Sequence, residues 1–225
     1  MISTKDIASD EGGNLPKTIK PGKHTLKINN VVLKRYPFME QDQGYYFIMN
    51  VETKPLENFQ GFLIDQNDES KGRYEGQVGE IKTNRYFYKD GKTKSGIEVF
   101  RDEDILKQIR KISLAATSNT KWLDSVDGKY ETIEELVDGF NESGVFKGLY
   151  FDFCVAGKEY ARKNSEYTGY DLYIPKLTRE TVGFELENAP TSRLVQFNES
   201  EHWIKLESKP VEAFGSPTNT ADFEL

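Results

Sequence analysis

Apolar residues recur at helical spacing in one interior region of this 225-residue chain, and short strand-like runs lie on both sides of it. In the stretch that begins at Asp102, residues Ile105, Leu106, Ile109, Ile112 and Ala116 line one side of a helix. Asp102 is placed to cap it, with acidic residues in its first turn. A second helix is predicted from Thr132, which forms a capping box with Glu135, through Leu136, Val137 and Phe140 to Gly144. A chain patterned this way must pack its helices against strands drawn from both of its halves.

Before the helical block, residues 24–34 place Leu26, Ile28, Val31, Val32 and Leu33 in a strand with a bulge near Asn29 and Asn30. A turn at 41–44 leads into a second strand over 45–53, closed by Pro55, so the two form a hairpin. A short run at 61–65 follows, then the polar stretch 66–79 as an exposed loop. Residues 81–88 make the next strand, joined through the turn Lys89-Asp90-Gly91-Lys92 to a run at 97–100. After the block, strand character returns at 145–155. A loop over 156–169 and a last clear strand at 170–174, ended by Pro175, complete the pattern. Beyond Val182 the chain is acidic, with 194–197 and 203–206 as short strands. The predicted division is a flexible segment over 1–15, one domain over 16–213 and a flexible acidic tail over 214–225. The fold class is mainly β with inserted helices (α+β). Three strand regions, helices and two more strands follow the order of a five-stranded OB-like barrel, with the helices between the third and fourth strand regions. Such barrels bind oligonucleotides on one sheet face and its flanking loops, which here would be 66–79 and 156–169.

The formal net charge is −7, but it is unevenly spread. Residues 16–38 hold six basic residues and no acidic one, and residues 71–101 hold eight basic against four acidic. By contrast, 124–142 carry seven acids against Lys129 alone, and 180–225 carry nine against three basic residues. A ligand meets the local field rather than the sum, so a basic face remains open to a polyanion. The single cysteine, Cys154, lies in an apolar run and reads as a small buried hydrophobe. It leaves no internal disulfide or Cys-rich zinc site, and it fits a reducing compartment such as the cytoplasm. The first 14 residues lack the apolar stretch of a secretory signal, and no run reaches the roughly 18 apolar residues of a membrane span.

Searches for catalytic patterns come back empty. The two histidines, His24 and His202, form no metal-binding spacing. Gly91-Lys92-Thr93 resembles the end of a phosphate loop, yet Tyr86 stands where that loop needs a glycine. Gly72, Gly76 and Gly79 miss the dinucleotide spacing, and no GxSxG elbow occurs. No catalytic residue, metal or cofactor is assigned, and the chain is not expected to be an enzyme.

What the sequence does carry is aromatic rings interleaved with positive charge. Lys82, Arg85, Tyr86, Tyr88 and Lys89 form one such segment; Lys158, Tyr160, Arg162 and Lys163 form a second; Tyr170 and Tyr173 lie in a third. Single-stranded nucleic acid calls for both ingredients, because every base offers a face to a ring while Lys and Arg follow the phosphates. Strand alternation puts Tyr86 and Tyr88 on one face with Lys82, and turns Phe87 toward the core.

In layout, and in its end Thr220-Ala221-Asp222-Phe223-Glu224-Leu225 after Gly215-Ser216-Pro217, the chain resembles the single-stranded DNA-binding proteins of tailed bacteriophages. That resemblance implies an OB fold, sequence-tolerant coating of single strands during replication or recombination, and no enzymatic activity. It also implies a tail, Asp222, Phe223, Glu224 and Leu225, that recruits a polymerase or helicase, with homo-oligomerisation open. Two other classes stay open from the residues alone: a phage virion or assembly protein, and a metal-dependent nuclease.

Overall fold

A computed structural model describes residues 17–36, 39, 44–57, 59, 61–65, 67–162 and 168–206. The strands are β1 (Gly22–Lys34), β2 (Tyr46–Thr53), β3 (Phe62–Asp65), β4 (Asp68–Tyr74), β5 (Val78–Lys82), β6 (Gly91–Lys92), β7 (Glu98–Val99), β8 (Tyr150–Ala161), β9 (Thr168–Tyr173), β10 (Phe184–Leu186) and β11 (Trp203–Ile204). The helices are α1 (Arg101–Thr117), α2 (Lys121–Ser125), α3 (Ile133–Ser143) and α4 (Glu199–His202). Among the described residues, no helix is long and apolar enough to cross a membrane.

Five strands pair in a ring. β1 pairs with β2, β2 with β5, β5 with β9, β9 with β8, and β8 returns to β1; only β5 and β9 run parallel. α1, α2 and α3 sit between β5 and β8, the third and fourth members of the ring in chain order. β10 continues the edge of β8 beside β9, and β11 runs parallel to the far end of β8. The mixed sheet and its few helices agree with a mainly β, α+β class.

Alternation explains the core. β1 turns Leu26, Ile28 and Val31 inward, β2 turns Phe47, Met49 and Val51, and β8 turns Phe151, Phe153 and Val155. Ile105, Ile109 and Ile112 of α1 and Ile133, Val137 and Phe140 of α3 join the same cluster. The capping box of α3 forms: Thr132 Oγ1 accepts from the Glu135 N–H at 3.2 Å, the Glu135 carboxylate accepts from the Thr132 N–H, and Gly144 ends the helix at φ 68. Cys154 is fully buried, and burial pushes its thiol up to about 11.

The predicted bulge is present as a register shift in β1 between Ile28 and Asn30. It gives one strand two partners, β8 along Gly22 to Lys27 and β2 along Leu26 to Lys34. Past Lys27 no strand among the described residues lies on the β8 side of β1, and Asn141 of α3 fills that place. Its amide donates to the Val31 carbonyl and accepts from the Val31 N–H, both at 2.8 Å. At the bulge, the carboxylate of Glu52 accepts from Asn29 Nδ2 at 3.1 Å and meets Lys27 Nζ at 3.2 Å, while its other oxygen accepts from the N–H groups of Glu75 and Gly76.

Several expected elements differ. Residues 66–79 are not an open loop: β4 folds back on β3 as a hairpin, because Asp68 and Asp65 form turn bonds at its tip. The strand expected over 81–88 stops at Lys82. The turn expected at Lys89-Asp90-Gly91-Lys92 falls later, where the Thr93 N–H donates to the Ile97 carbonyl and Gly91–Lys92 pairs with Glu98–Val99. The loop expected over 156–169 is strand through Ala161, zipped to β9 from Ala156↔Tyr173 to Ala161↔Thr168. α1 starts at Arg101 with Phe100 at its N-cap. Asp102 sits inside the first turn, paired with Arg101 at 2.7 Å, instead of capping the helix.

Two stability outcomes follow. Asn141→Ala leaves both Val31 backbone groups without their partner and should cost about 2 to 3 kcal/mol in urea unfolding, with an unchanged m-value. For Glu52, burial alone would raise the carboxyl pKa, but Asn29, Lys27 and the Glu75 N–H outweigh it and hold it below the ordinary carboxylate range. A folded-state pKa below the unfolded one gives stability that is present above the unfolded value and is lost as pH falls through the folded one. Glu52→Gln should therefore lower stability at pH 7 by about 2 kcal/mol and shrink the loss between pH 7 and pH 3, read from melting midpoints across that range.

Candidate nucleic-acid interface

Register lines up side chains on the outside of the ring. One row crosses the strands as Val32, Ile48, Lys82, Tyr173 and Ala156; a second runs Asn30, Asn50 and Glu80; Asp171 stands opposite Lys158. These positions alternate with the core residues, so they share the outer face.

Rings and cations meet at the ends of β1 and β2. Tyr36 and Tyr46 touch edge to face with centroids 5.3 Å apart, and Tyr46 touches Phe87 in the same way at 5.9 Å. Lys82 Nζ lies 4.2 Å from the Tyr46 centroid and 5.5 Å from that of Tyr36. Lys34 lies over Tyr36, Lys89 over Phe87, and Arg85 stands 5.6 Å from the Tyr173 ring and 5.7 Å from Tyr86. Two of these cations are matched: Lys82 pairs with Asp171 at 2.7 Å, and Lys34 with Glu80 at 2.7 Å. Burial pushes the Tyr36 hydroxyl up to about 12, with Glu80 and Asp171 adding to it, so this phenol stays neutral at any working pH.

A groove of about 820 Å³ adjoins this cluster, with Asn30, Asn50 and Glu80 among its lining and Tyr160, Arg162 and Tyr170 opposite. Tyr160 stands across from Gly169 in the β8–β9 ladder, and a Cβ on Gly169 would lie 2.4 Å from its ring. The missing side chain lets the ring lie against the backbone of β9. One face of the tyrosine is thereby braced, and the residue remains 46% exposed.

The expected site residues separate by exposure. Arg85, Tyr86, Lys89, Lys158, Tyr160 and Arg162 are exposed, and Tyr170 is half-buried with its ring edge on Trp203. Tyr88, expected outside beside Tyr86, is in the core: it is 8% exposed, and its hydroxyl bonds Thr83 Oγ1 at 2.9 Å. The reason is local. Thr83 ends the ladder by bonding the Phe47 carbonyl, the chain bends through 83–86, and it returns at Tyr88 to exchange both backbone bonds with Tyr45. Strand alternation does not cross that bend. Tyr86 is consequently 67% exposed at the turn, and Phe87, expected in the core, is half-buried against Tyr46. Lys82 and Tyr173 lie on the outer face but are buried within it, Lys82 beneath its rings and carboxylate. Lys163 and the tail residues Asp222, Phe223, Glu224 and Leu225 lie outside the described residues.

Sequence reasoning missed Tyr36, Tyr46, Lys34, Asn30 and Asn50. Their signal was available in the basic segment 16–38 and the aromatic segment 45–53, which become one surface only when β1 and β2 pair. Comparison with known proteins finds no match: no family model, curated protein or solved structure is significantly similar to this chain.

The burial contrast gives an outcome at neighbouring tyrosines. Tyr88→Ala should cost about 3 kcal/mol or more in thermal or urea unfolding, whereas Tyr86→Ala should stay within about 0.5 kcal/mol of the parent.

Proposed function

We propose that this protein binds single-stranded nucleic acid, DNA in the first place, without strong sequence selection, and coats it during phage-type replication or recombination. The observation that carries the reading is the set of rings and cations on the outer face of β1, β2, β5, β9 and the end of β8, with Tyr86 and Tyr160 exposed as stacking surfaces. The pairing order supports an OB-type barrel: β2 and β5 stand as its second and third strands, and the ring–cation face lies on them. The resemblance of the chain end to phage replication tails fits the same reading and makes replication proteins the natural second partner.

Anisotropy titrations with labelled single- and double-stranded oligonucleotides test this reading. Four cations on the face, Arg85, Lys89, Lys158 and Arg162, have no carboxylate partner among the described residues. Four phosphate contacts on a single strand give a slope of log K against log salt of about −3. Binding should favour single strands over duplex, and Tyr160→Ala should weaken it by about 1 to 3 kcal/mol without lowering the melting midpoint. Equal affinity for duplex, or a flat salt response, would sink the proposal.

A further inference from the structure

The groove beside the ring cluster has a floor of unusual polarity for a surface that follows phosphates. Asn30 and Asn50 are cross-strand partners, and Asn50 Nδ2 donates to Asn30 Oδ1 at 2.8 Å. Next in the row is Glu80, the partner of Asn50 on β5, with one carboxylate oxygen held by Lys34 and its side chain 54% exposed. The Asn50 carbonyl and the second Glu80 oxygen therefore lie side by side as acceptors, neither with a hydrogen bond from another described residue. The donors nearest them are the amide N–H groups that Asn30 and Asn50 do not use between themselves, while Asn29 gives one of its own to Glu52. Tyr160, braced on Gly169, and Arg162 flank this floor. A volume of about 820 Å³ falls within the roughly 300–1,000 Å³ of small-molecule sites and has room for a nucleotide.

We infer that this groove is a base subsite that prefers nucleobases bearing an exocyclic amine, cytosine above all, and disfavours thymine. The inference rests on the single-strand reading above. A carboxylate and an amide carbonyl side by side accept both N–H groups of cytosine N4 or adenine N6, whereas thymine turns O4 toward two acceptors and has N3–H as its single donor on that edge. Tyr160 supplies the stacking face, and Arg162 stands where it can meet the adjoining phosphate. The preference acts at one subsite, so the protein still coats mixed sequence.

Fluorescence anisotropy with oligo(dC) and oligo(dT) of equal length, at one salt concentration and above pH 7, tests this on the full chain. Comparing two pyrimidines holds ring size nearly constant. Oligo(dC) should bind roughly fivefold or more tightly than oligo(dT). Glu80→Gln should bring that ratio close to one, because its amide can donate to thymine O4. The lost negative charge by itself would raise affinity for both oligomers by the same factor, so any change in their ratio reports the base contact and not the field. Equal binding of the two, tighter binding of oligo(dT), or a ratio that survives Glu80→Gln overturns the base subsite alone. Failure of both oligomers to bind overturns it together with the functional reading.

Discussion

Closure of the strand ring depends on bending β1, and the bend is held by one buried carboxylate. A strand that pairs with β8 along its first half and β2 along its second must change direction between them, and the bulge at Asn29 supplies that change. Glu52, only 4% exposed, ties the bend by accepting from the side chains of Asn29 and Lys27 on β1 and from the backbone N–H groups of Glu75 and Gly76 just before β5. Three consecutive members of the ring meet at one side chain. Gly76 is required at this point, since a Cβ there would lie 2.3 Å from Thr53 Oγ1 at the end of β2. Burying a charge is favourable only when its lone pairs are satisfied, and here both oxygens are.

The same bend decides where α3 docks. Where β8 departs, the outward backbone groups of Val31 would be left bare, and Asn141 replaces the absent strand with a side-chain amide of matching geometry. Val137 and Phe140, on the same helix, then enter the core opposite Ile109 and Ile112 of α1. The helical block thus closes one side of the ring through a polar clamp and an apolar stripe together. The outer face of β2 and β5 is left to the ring–cation cluster.

Local signals were legible wherever a short-range pattern decides the outcome. The Thr132–Glu135 capping box and the Gly144 stop depend on residues within four positions and form as the sequence indicates; the bulge near Asn29 and Asn30 also shows in the local pattern, although Glu52 ties it from the next strand. Tyr88 shows where that logic ends. Whether it points in or out depends on Thr83 finding the Phe47 carbonyl 36 residues away and on the bend that follows, and neither is written in the alternation of residues 82–88. The β3–β4 hairpin was hidden for another reason. Asp68–Tyr74 is polar almost throughout and pairs outside the core, so no hydrophobic face marks it as strand. The interface was half legible: the exposed members Tyr86, Tyr160, Arg85 and Arg162 stand out as rings beside charges, while Tyr36 and Tyr46 join them only through pairing of β1 with β2.

On a chain of net charge −7, the proposed affinity for a polyanion turns on how the carboxylates are spent. On the outer face, Asp171 and Glu80 are engaged with Lys82 and Lys34, so each of these acids cancels a cation that is already under or beside an aromatic ring. Lys82 is too enclosed to follow a phosphate, and its worth lies in fixing Tyr46 and Tyr36 in place. The cations without an acid partner among the described residues, Arg85, Lys89, Lys158 and Arg162, are exposed, with Arg85 beside the Tyr86 ring and Lys89 over Phe87. Much of the excess acid lies elsewhere in the chain, with seven carboxylates over 124–142 along α2 and α3. Screening over about 10 Å at ordinary ionic strength weakens distant charge and leaves the local cations to set the field over this face. The Lys82–Asp171 and Lys34–Glu80 pairs thereby hold cations against the rings of Tyr36 and Tyr46, and the exposed cations stay unpaired with acids among the described residues, the division that the proposed single-strand binding would need, since bases vary along a strand and its backbone does not.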